Sequence, residues 1–248
     1  MVTSEQTNRD KTAIHASSPP SDLDRSGTKV WAGVFTEKSP HTAPLFDCRT
    51  RYGFGAIWRG DVNQFNFETL LKALRDATAD AHASLDASFG SLDIADRDDY
   101  VRFLRAHAIG LAPMFADYRA YIETTLGLSC PDFPAMLRAD LAELGEETAD
   151  LPRVEATGAV GGAGLGYVVT GSRLGLAAIS RNGYWGRANG LPSQYMEDQT
   201  GLVLWKDLAA RLKTEPAAAD ARTSVASALA AFATFERAFA ASARANQG

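Results

Sequence analysis

Apolar residues recur at helical spacing in the segment from Leu70 to Phe89. At about 100° per residue, the side chains that share one arc of about 80° are Leu71, Leu74, Thr78, His82, Leu85 and Phe89. This spacing predicts an amphipathic helix with a buried apolar face. His82 is the ionisable exception on that face. We therefore expect its imidazole to be buried and to have a partner, either a hydrogen-bonding group or a metal ion.

Capping residues predict where the first helices begin and where they are interrupted. We expect Asn66 to cap the first helix and Asp96 to cap the second, which carries His107 inward. Pro113 is expected to kink or divide that second helix, because proline lacks the backbone donor that a helix interior needs.

The same rules predict the later helices. Gly127 and Gly145 are expected to end the helices before them, and Asp132 is expected to cap the second of these. The predicted segments are 115–126, 134–144, a glycine-rich helix after 157, 202–213 and about 216–239, with a long loop over 182–201. Because no segment has the pattern of a sheet, we predict an all-α, single-domain helical bundle.

A glycine-rich run is the second unusual feature of the chain. Seven glycines lie between residues 158 and 175. Glycine costs a helix about 0.5–1 kcal/mol relative to alanine, so a helix this rich in glycine needs a compensating reason. Gly171 and Gly175 are one turn apart on the same face. We expect the helix backbone to approach a planar ligand there, with room for a diatomic molecule between them.

The two motifs together resemble the haem oxygenases of the bacterial, biliverdin-producing type. The segment LRDATADAH, from Leu74 to His82, resembles the proximal helix of that family, on which the histidine binds the haem iron. The segment YVVTGSRLG, from Tyr167 to Gly175, resembles its distal helix. The resemblance covers about residues 67–243, and it implies the haem oxygenase-like helical fold for a domain that we assign to residues 67–245.

The resemblance also implies roles for residues of the first helix. His82 would be the ligand of the iron, and Asp86 is a candidate to orient its imidazole, although a surface carboxylate is an equally good reading of that position. Arg75 matches the basic position that binds a haem propionate, and Thr78 lies on the same face. Weaker candidates, each of which is more often an ordinary solvated cation, are Lys72, Arg173, Arg181, Lys206 and Arg211.

In the glycine-rich helix, Gly171 and Gly175 would give bound O₂ its space, and Tyr167 would hydrogen-bond a propionate or water, or simply pack. Ser172 stands where many family members carry an aspartate that organises water. Leu176 replaces a second glycine of the family pattern. Its side chain would either crowd the space above the haem or point away into the core.

The activity that the resemblance implies is the opening of haem, as both cofactor and substrate, at a meso carbon. O₂ and electrons from a ferredoxin-type or flavin-type reductase would be consumed, and biliverdin, carbon monoxide and Fe²⁺ released. Biliverdin could then serve a photoreceptor, or the iron could be recovered. Two alternatives stay open: a non-catalytic protein that stores, carries or senses haem, and a bundle of this fold that acts on another small molecule.

Composition limits the other classes of function. The 248 residues are 46% apolar with a net charge of −5, so we expect one core and no nucleic-acid surface. Cys48 and Cys130 are too few for a disulfide framework, which favours the cytoplasm. No apolar segment is long enough for a membrane span, and residues 1–66 are expected to form a mostly disordered extension. The glycines of 162–166 do not complete a dinucleotide fingerprint.

Overall fold

The computed structural model describes residues 69–215 and 221–243, and every regular element in these ranges is a helix. The expected extension over 1–66 lies outside the described residues. The elements are α1 Leu70–Gly90, α2 Arg97–Leu111, α3 Phe115–Ala120 with a π-helical turn Tyr121–Thr125, α4 Phe133–Glu143, α5 Gly162–Asn182, α6 Trp185–Ala188, α7 Gln194–Glu197, α8 Thr200–Thr214 and α9 Ala221–Ser242. The all-α prediction is confirmed for this part of the chain.

Most of the predicted helix boundaries are confirmed, and the first one is wrong. The Asp96 carboxylate accepts hydrogen bonds from the backbone N–H groups of Asp98 and Asp99 and so caps α2. Pro113 divides this region into α2 and α3, as expected. The first helix, however, is capped by Thr69, whose hydroxyl accepts from the N–H of Lys72, and it does not begin at Asn66.

The later boundaries follow the expected residues, with short helices added inside the long loop. Asp132 accepts from the N–H of Ala135 at the start of α4. Gly127 and Gly145 adopt φ angles of 65° and 77°, the left-handed conformation that ends a helix. The one-turn helices α6 and α7 lie within 182–201, which was expected to be loop alone.

Four long helices build the part of the bundle that carries the two motifs. Both α8 and α9 pack against α1 and also against α5. Among the described helices, α1 and α5 have few direct contacts with each other. The two motifs thus lie on helices that are joined mainly through α8 and α9.

The ends of these helices set their relative direction. The backbone N–H of Leu70 donates to the carbonyl oxygen of Glu215, so α1 begins where α8 ends. The first residues of α5 lie at the same end, because a Cβ at Gly166 would be 3.3 Å from Leu208 of α8. Ser224 in the first turn of α9 adjoins Gly164. Therefore α1, α5 and α9 all start at one end of the bundle.

Arg173 of α5 is buried and is not the solvated cation that was expected. Its side chain is 1% exposed, and its guanidinium lies 4.6 Å from the ring centroids of both Phe133 and Tyr195. It donates to the backbone carbonyl of Tyr195 and lies 3.7 Å from the Asp198 carboxylate. The arginine therefore attaches α5 to the segment around α7, through aromatic faces and one buried carboxylate.

We predict that Gly164→Ala destabilises the fold by about 1–3 kcal/mol, the usual effect of overpacking a tight contact. An added Cβ would overlap the backbone carbonyl oxygen of Ser224, so α5 and α9 would have to separate. Urea unfolding followed by circular dichroism measures the change. The matched control is Gly175→Ala on the same helix, where the Cβ meets no described atom within 4 Å. Equal stability of the two variants would contradict this account of α5–α9 packing.

Candidate functional site

The second half of α1 is less buried than the first half. The buried residues of α1 are Leu70, Leu71, Ala73, Leu74, Thr78 and Phe89. Between Thr78 and Phe89 the residues at the apolar spacing are only partly buried, and Ala81 and Leu85 pack against the edge of the core. A partly exposed apolar helix face is a candidate surface for ligand binding.

His82 lies in the middle of this face, and the expectation that its imidazole is buried is wrong. Its side chain is 35% exposed. The ring packs edge-on against Phe232 of α9, with 5.7 Å between the ring centroids. The reason is that the burial of α1 decreases after Thr78, so that position 82 lies at the edge of the core. The buried histidine of the described residues is His107, which is 7% exposed.

Asp86 orients the imidazole of His82. Its Oδ2 lies 2.9 Å from Nδ1 of His82, one turn earlier on the same helix. With a proton on Nδ1 donated to the carboxylate, the neutral ring carries its lone pair on Nε2, the tautomer that binds a metal through Nε2. The sequence left open whether Asp86 contacts His82, and the structure brings the two together.

We predict that Asp86→Asn weakens binding of an iron porphyrin about 10- to 100-fold while leaving the fold intact, because a ligand histidine without its carboxylate is less basic and less well oriented. The measurement is a haemin titration followed by absorbance. Asp76→Asn is the matched control, since Asp76 forms an exposed i,i+4 pair with Lys72 on the same helix. Equal losses in both variants would remove Asp86 from this role.

One turn before His82, residues of α1 meet Tyr167 of α5. The Thr78 hydroxyl, buried, donates to the carbonyl oxygen of Leu74. Burial raises the pKa of Tyr167, whereas a hydrogen bond with the Thr78 side chain and the positive charge of Arg75 act in the opposite direction. The phenol of Tyr167, the hydroxyl of Thr78 and the cation of Arg75 therefore come together at one end of this partly buried face.

Beyond this meeting point, His82 and Gly171 each lie one helical turn further along their helices. Because α1 and α5 start at the same end of the bundle, the two residues are at a similar level. Gly175 follows one turn later on α5. A Cβ added there would meet no described atom within 4 Å. Gly175 thus exposes bare helix backbone to open space in the interior of a 21-residue helix.

Gly171 differs from Gly175, although the sequence treats the two glycines alike. A Cβ at Gly171 would lie 3.4 Å from the indole of Trp205 on α8. The open backbone patch is therefore centred on Gly175 alone, and Gly171 is covered by an aromatic ring. The difference arises because α8 crosses α5 at this level, which the sequence of α5 cannot reveal.

The two positions that depart from the family pattern have different surroundings. Ser172 donates its hydroxyl proton to the backbone carbonyl of Val169 at 2.8 Å, which leaves its oxygen as an acceptor only. Leu176 is 3% exposed and belongs to the hydrophobic core. Of the two orientations that the sequence left open for Leu176, the structure has the inward one.

Two residues that contact the candidate site, Trp205 and Phe232, were not among the site residues predicted from the sequence. Their contacts with Gly171 and His82 depend on how α8 and α9 pack against α5 and α1. Helical periodicity fixes which face of a helix is apolar, but it does not fix which residue of another helix meets it.

The described residues contain no group of three or more His, Cys, Asp or Glu side chains that could hold a metal ion. A single imidazole is too little to bind a bare cation tightly. It is, however, the usual protein ligand for iron whose other positions are filled by a porphyrin. The donor set at His82 thus fits a haem better than a free ion.

No helix in the described ranges is long and apolar enough to cross a membrane. No family model, no curated protein and no solved structure matches this chain.

Proposed function

We propose that the protein is a haem oxygenase, which opens the ring of haem to biliverdin with release of carbon monoxide and Fe²⁺. One observation carries the proposal. Gly175 exposes bare backbone to open space in the middle of α5, at a cost of about 0.5–1 kcal/mol relative to alanine. Close approach by a flat ligand is a physical reason to keep a glycine in such a place.

Residues of α1 and α5 fit the same ligand. His82, within hydrogen-bond distance of Asp86 through Nδ1, offers its Nε2 as one metal ligand on a partly buried apolar face. Arg75 and Tyr167 lie together at one end of that face, where a cation and a phenol suit the carboxylates at one edge of a haem. These residues thus combine one metal ligand, an apolar surface and a polar end, just as a haem combines an iron, an apolar ring and carboxylates at one edge.

Bound haem would supply both the iron that activates O₂ and the meso carbon that is oxidised. The residues of the chain would bind and orient it: His82, held by Asp86, would ligate the iron, and Gly175 would leave room for a small ligand. Electrons would come from an external ferredoxin-type or flavin-type reductase. We place the activity in the cytoplasm, with biliverdin passed to a photoreceptor as one use of the product.

The geometry of Leu176 favours turnover, because its buried side chain does not crowd the space at Gly175. The geometry of Ser172 favours the second candidate, a protein that binds haem without opening it. Its hydroxyl donates to Val169, so it would have to give up this hydrogen bond to donate to water or to a ligand. The experiment must therefore distinguish turnover of haem from haem binding without turnover.

The test is to add haemin to the full chain and then an electron source under air, and to follow absorbance. Haem oxygenase activity predicts a Soret band that decays while biliverdin absorption grows, with carbon monoxide released. A Soret band that persists under reduction contradicts turnover and supports the haem-binding candidate. Absence of any Soret band would overturn both. Catalase and an iron chelator in the reaction exclude opening of haem by free peroxide.

A further inference from the structure

Trp205 of α8 covers part of the α5 face that the proposed site uses. Its indole atoms Cζ3, Cη2 and Cε3 lie 3.4, 3.7 and 3.8 Å from the point that a Cβ of Gly171 would occupy. The residue is 7% exposed, and its ring centroid is 6.0 Å from that of Tyr167. The indole thus packs against both the polar end of the site and the first of its two glycines.

Packing between α8 and α5 fixes the position of this ring. One turn before Trp205, Gly201 lets α8 approach α5 closely: a Cβ there would lie 2.8 Å from Nε of Arg173 and 2.8 Å from Oδ2 of Asp198. The Asp198 carboxylate also accepts from the N–H of Gly201 at 2.7 Å. Because Arg173 and Asp198 are both buried, α8 cannot move along or away from α5 without breaking this contact.

The free space on the α5 side of the site therefore differs between its two glycines. At Gly171 the indole lies 3.4 Å from the Cβ position, an ordinary van der Waals contact that limits the space beyond it, and at Gly175 no described atom lies within 4 Å of that position. A small ligand on this side has room toward Gly175 and meets Trp205 toward Gly171. Aromatic rings held by packing are effective steric barriers, because moving them requires repacking of the surrounding core.

We propose that Trp205 is a specificity-determining residue, which admits small linear ligands such as O₂ and carbon monoxide toward Gly175 and excludes branched ones. This inference rests on the proposed haem site. It assigns different surroundings to the two glycines: the indole bounds the space at Gly171, and Gly175 leaves room for the ligand.

The test compares how the ferrous haem complex binds carbon monoxide and tert-butyl isocyanide, a branched ligand, with no turnover required. We expect Trp205→Phe to lower the ratio of the isocyanide dissociation constant to that of carbon monoxide about tenfold or more, as removal of bulk from an apolar pocket does. The matched control is Trp185→Phe on α6, whose ring stacks on Tyr100 away from α5. Its ratio should equal that of the unaltered protein.

An unchanged ratio in a folded Trp205→Phe variant would overturn the role of Trp205 and leave the proposed function standing. If circular dichroism shows that this variant does not fold, the test uses the ratio of dissociation constants measured for the unaltered protein. Its ratio must then exceed that of imidazole-ligated haem in detergent about tenfold, and an equal ratio overturns the inference. Absence of a Soret band in the unaltered protein would instead overturn the proposed function itself.

Discussion

Replacing Gly175 with leucine is expected to stabilise the apoprotein and to weaken haem binding. Glycine in a helix interior costs about 0.5–1 kcal/mol relative to residues such as alanine and leucine, and the new side chain would enter open space. The free energy of unfolding should rise by up to about that amount. The same side chain would occupy the space proposed for the ligand, and overpacking of about 1–3 kcal/mol corresponds to about 5- to 150-fold weaker haem binding.

Urea unfolding of the apoprotein and a haemin titration measure the two effects separately. Gly161→Leu is the matched control for the titration, because Gly161 precedes the first turn of α5 and also has no described atom within 4 Å of its Cβ position. It lies about 21 Å along the helix from Gly175. Undiminished haem binding in Gly175→Leu would mean that this backbone patch faces no ligand.

Replacing His82 with alanine is expected to remove the iron ligand with little effect on the fold. The side chain is 35% exposed, and surface substitutions usually change stability by no more than about 0.5 kcal/mol. Resonance Raman spectra of the ferrous haem complex should lose the low-frequency iron–histidine band. Haem affinity should fall about 100-fold or more, since the loss of a ligand exceeds the loss of its orienting partner.

Exogenous imidazole provides the internal control for this variant. It should restore the iron–ligand band in His82→Ala, because deletion of the side chain leaves space for a free imidazole near Phe232 and Asp86. A variant with an unchanged iron–histidine band would exclude His82 as the ligand. His107 would then be the first residue to consider, although it is buried and its Nδ1 bonds the carbonyl oxygen of Phe103.

Local chemistry made most helix boundaries predictable from the sequence. Asp96, Pro113, Asp132 and Gly145 act through their own backbone and nearest neighbours, so their effects do not depend on the rest of the fold. The exception at the first helix has the same local origin. Thr69 lies nearer to the apolar stripe and caps α1 in place of Asn66.

Tertiary contacts limited what could be predicted of the site. Periodicity put His82 on the apolar face of α1, but burial depends on what covers that face, and the burial of α1 decreases after Thr78. Likewise, Gly171 and Gly175 are equivalent in sequence and differ only because Trp205 reaches one of them. Arg173 is buried because its guanidinium packs against the rings of Phe133 and Tyr195. These rings are distant from Arg173 in sequence, so helical periodicity could not predict its burial.

The central claim is that haem lies between the second half of α1 and the Gly175 region of α5. Hydrogen–deuterium exchange with and without haemin tests it most directly, because a ligand held between two helices slows exchange in both. We predict slower exchange in peptides that contain His82 and in peptides that contain Gly175, with α4 unchanged. Protection of only one of the two helices, or of neither while a Soret band forms, would contradict the account.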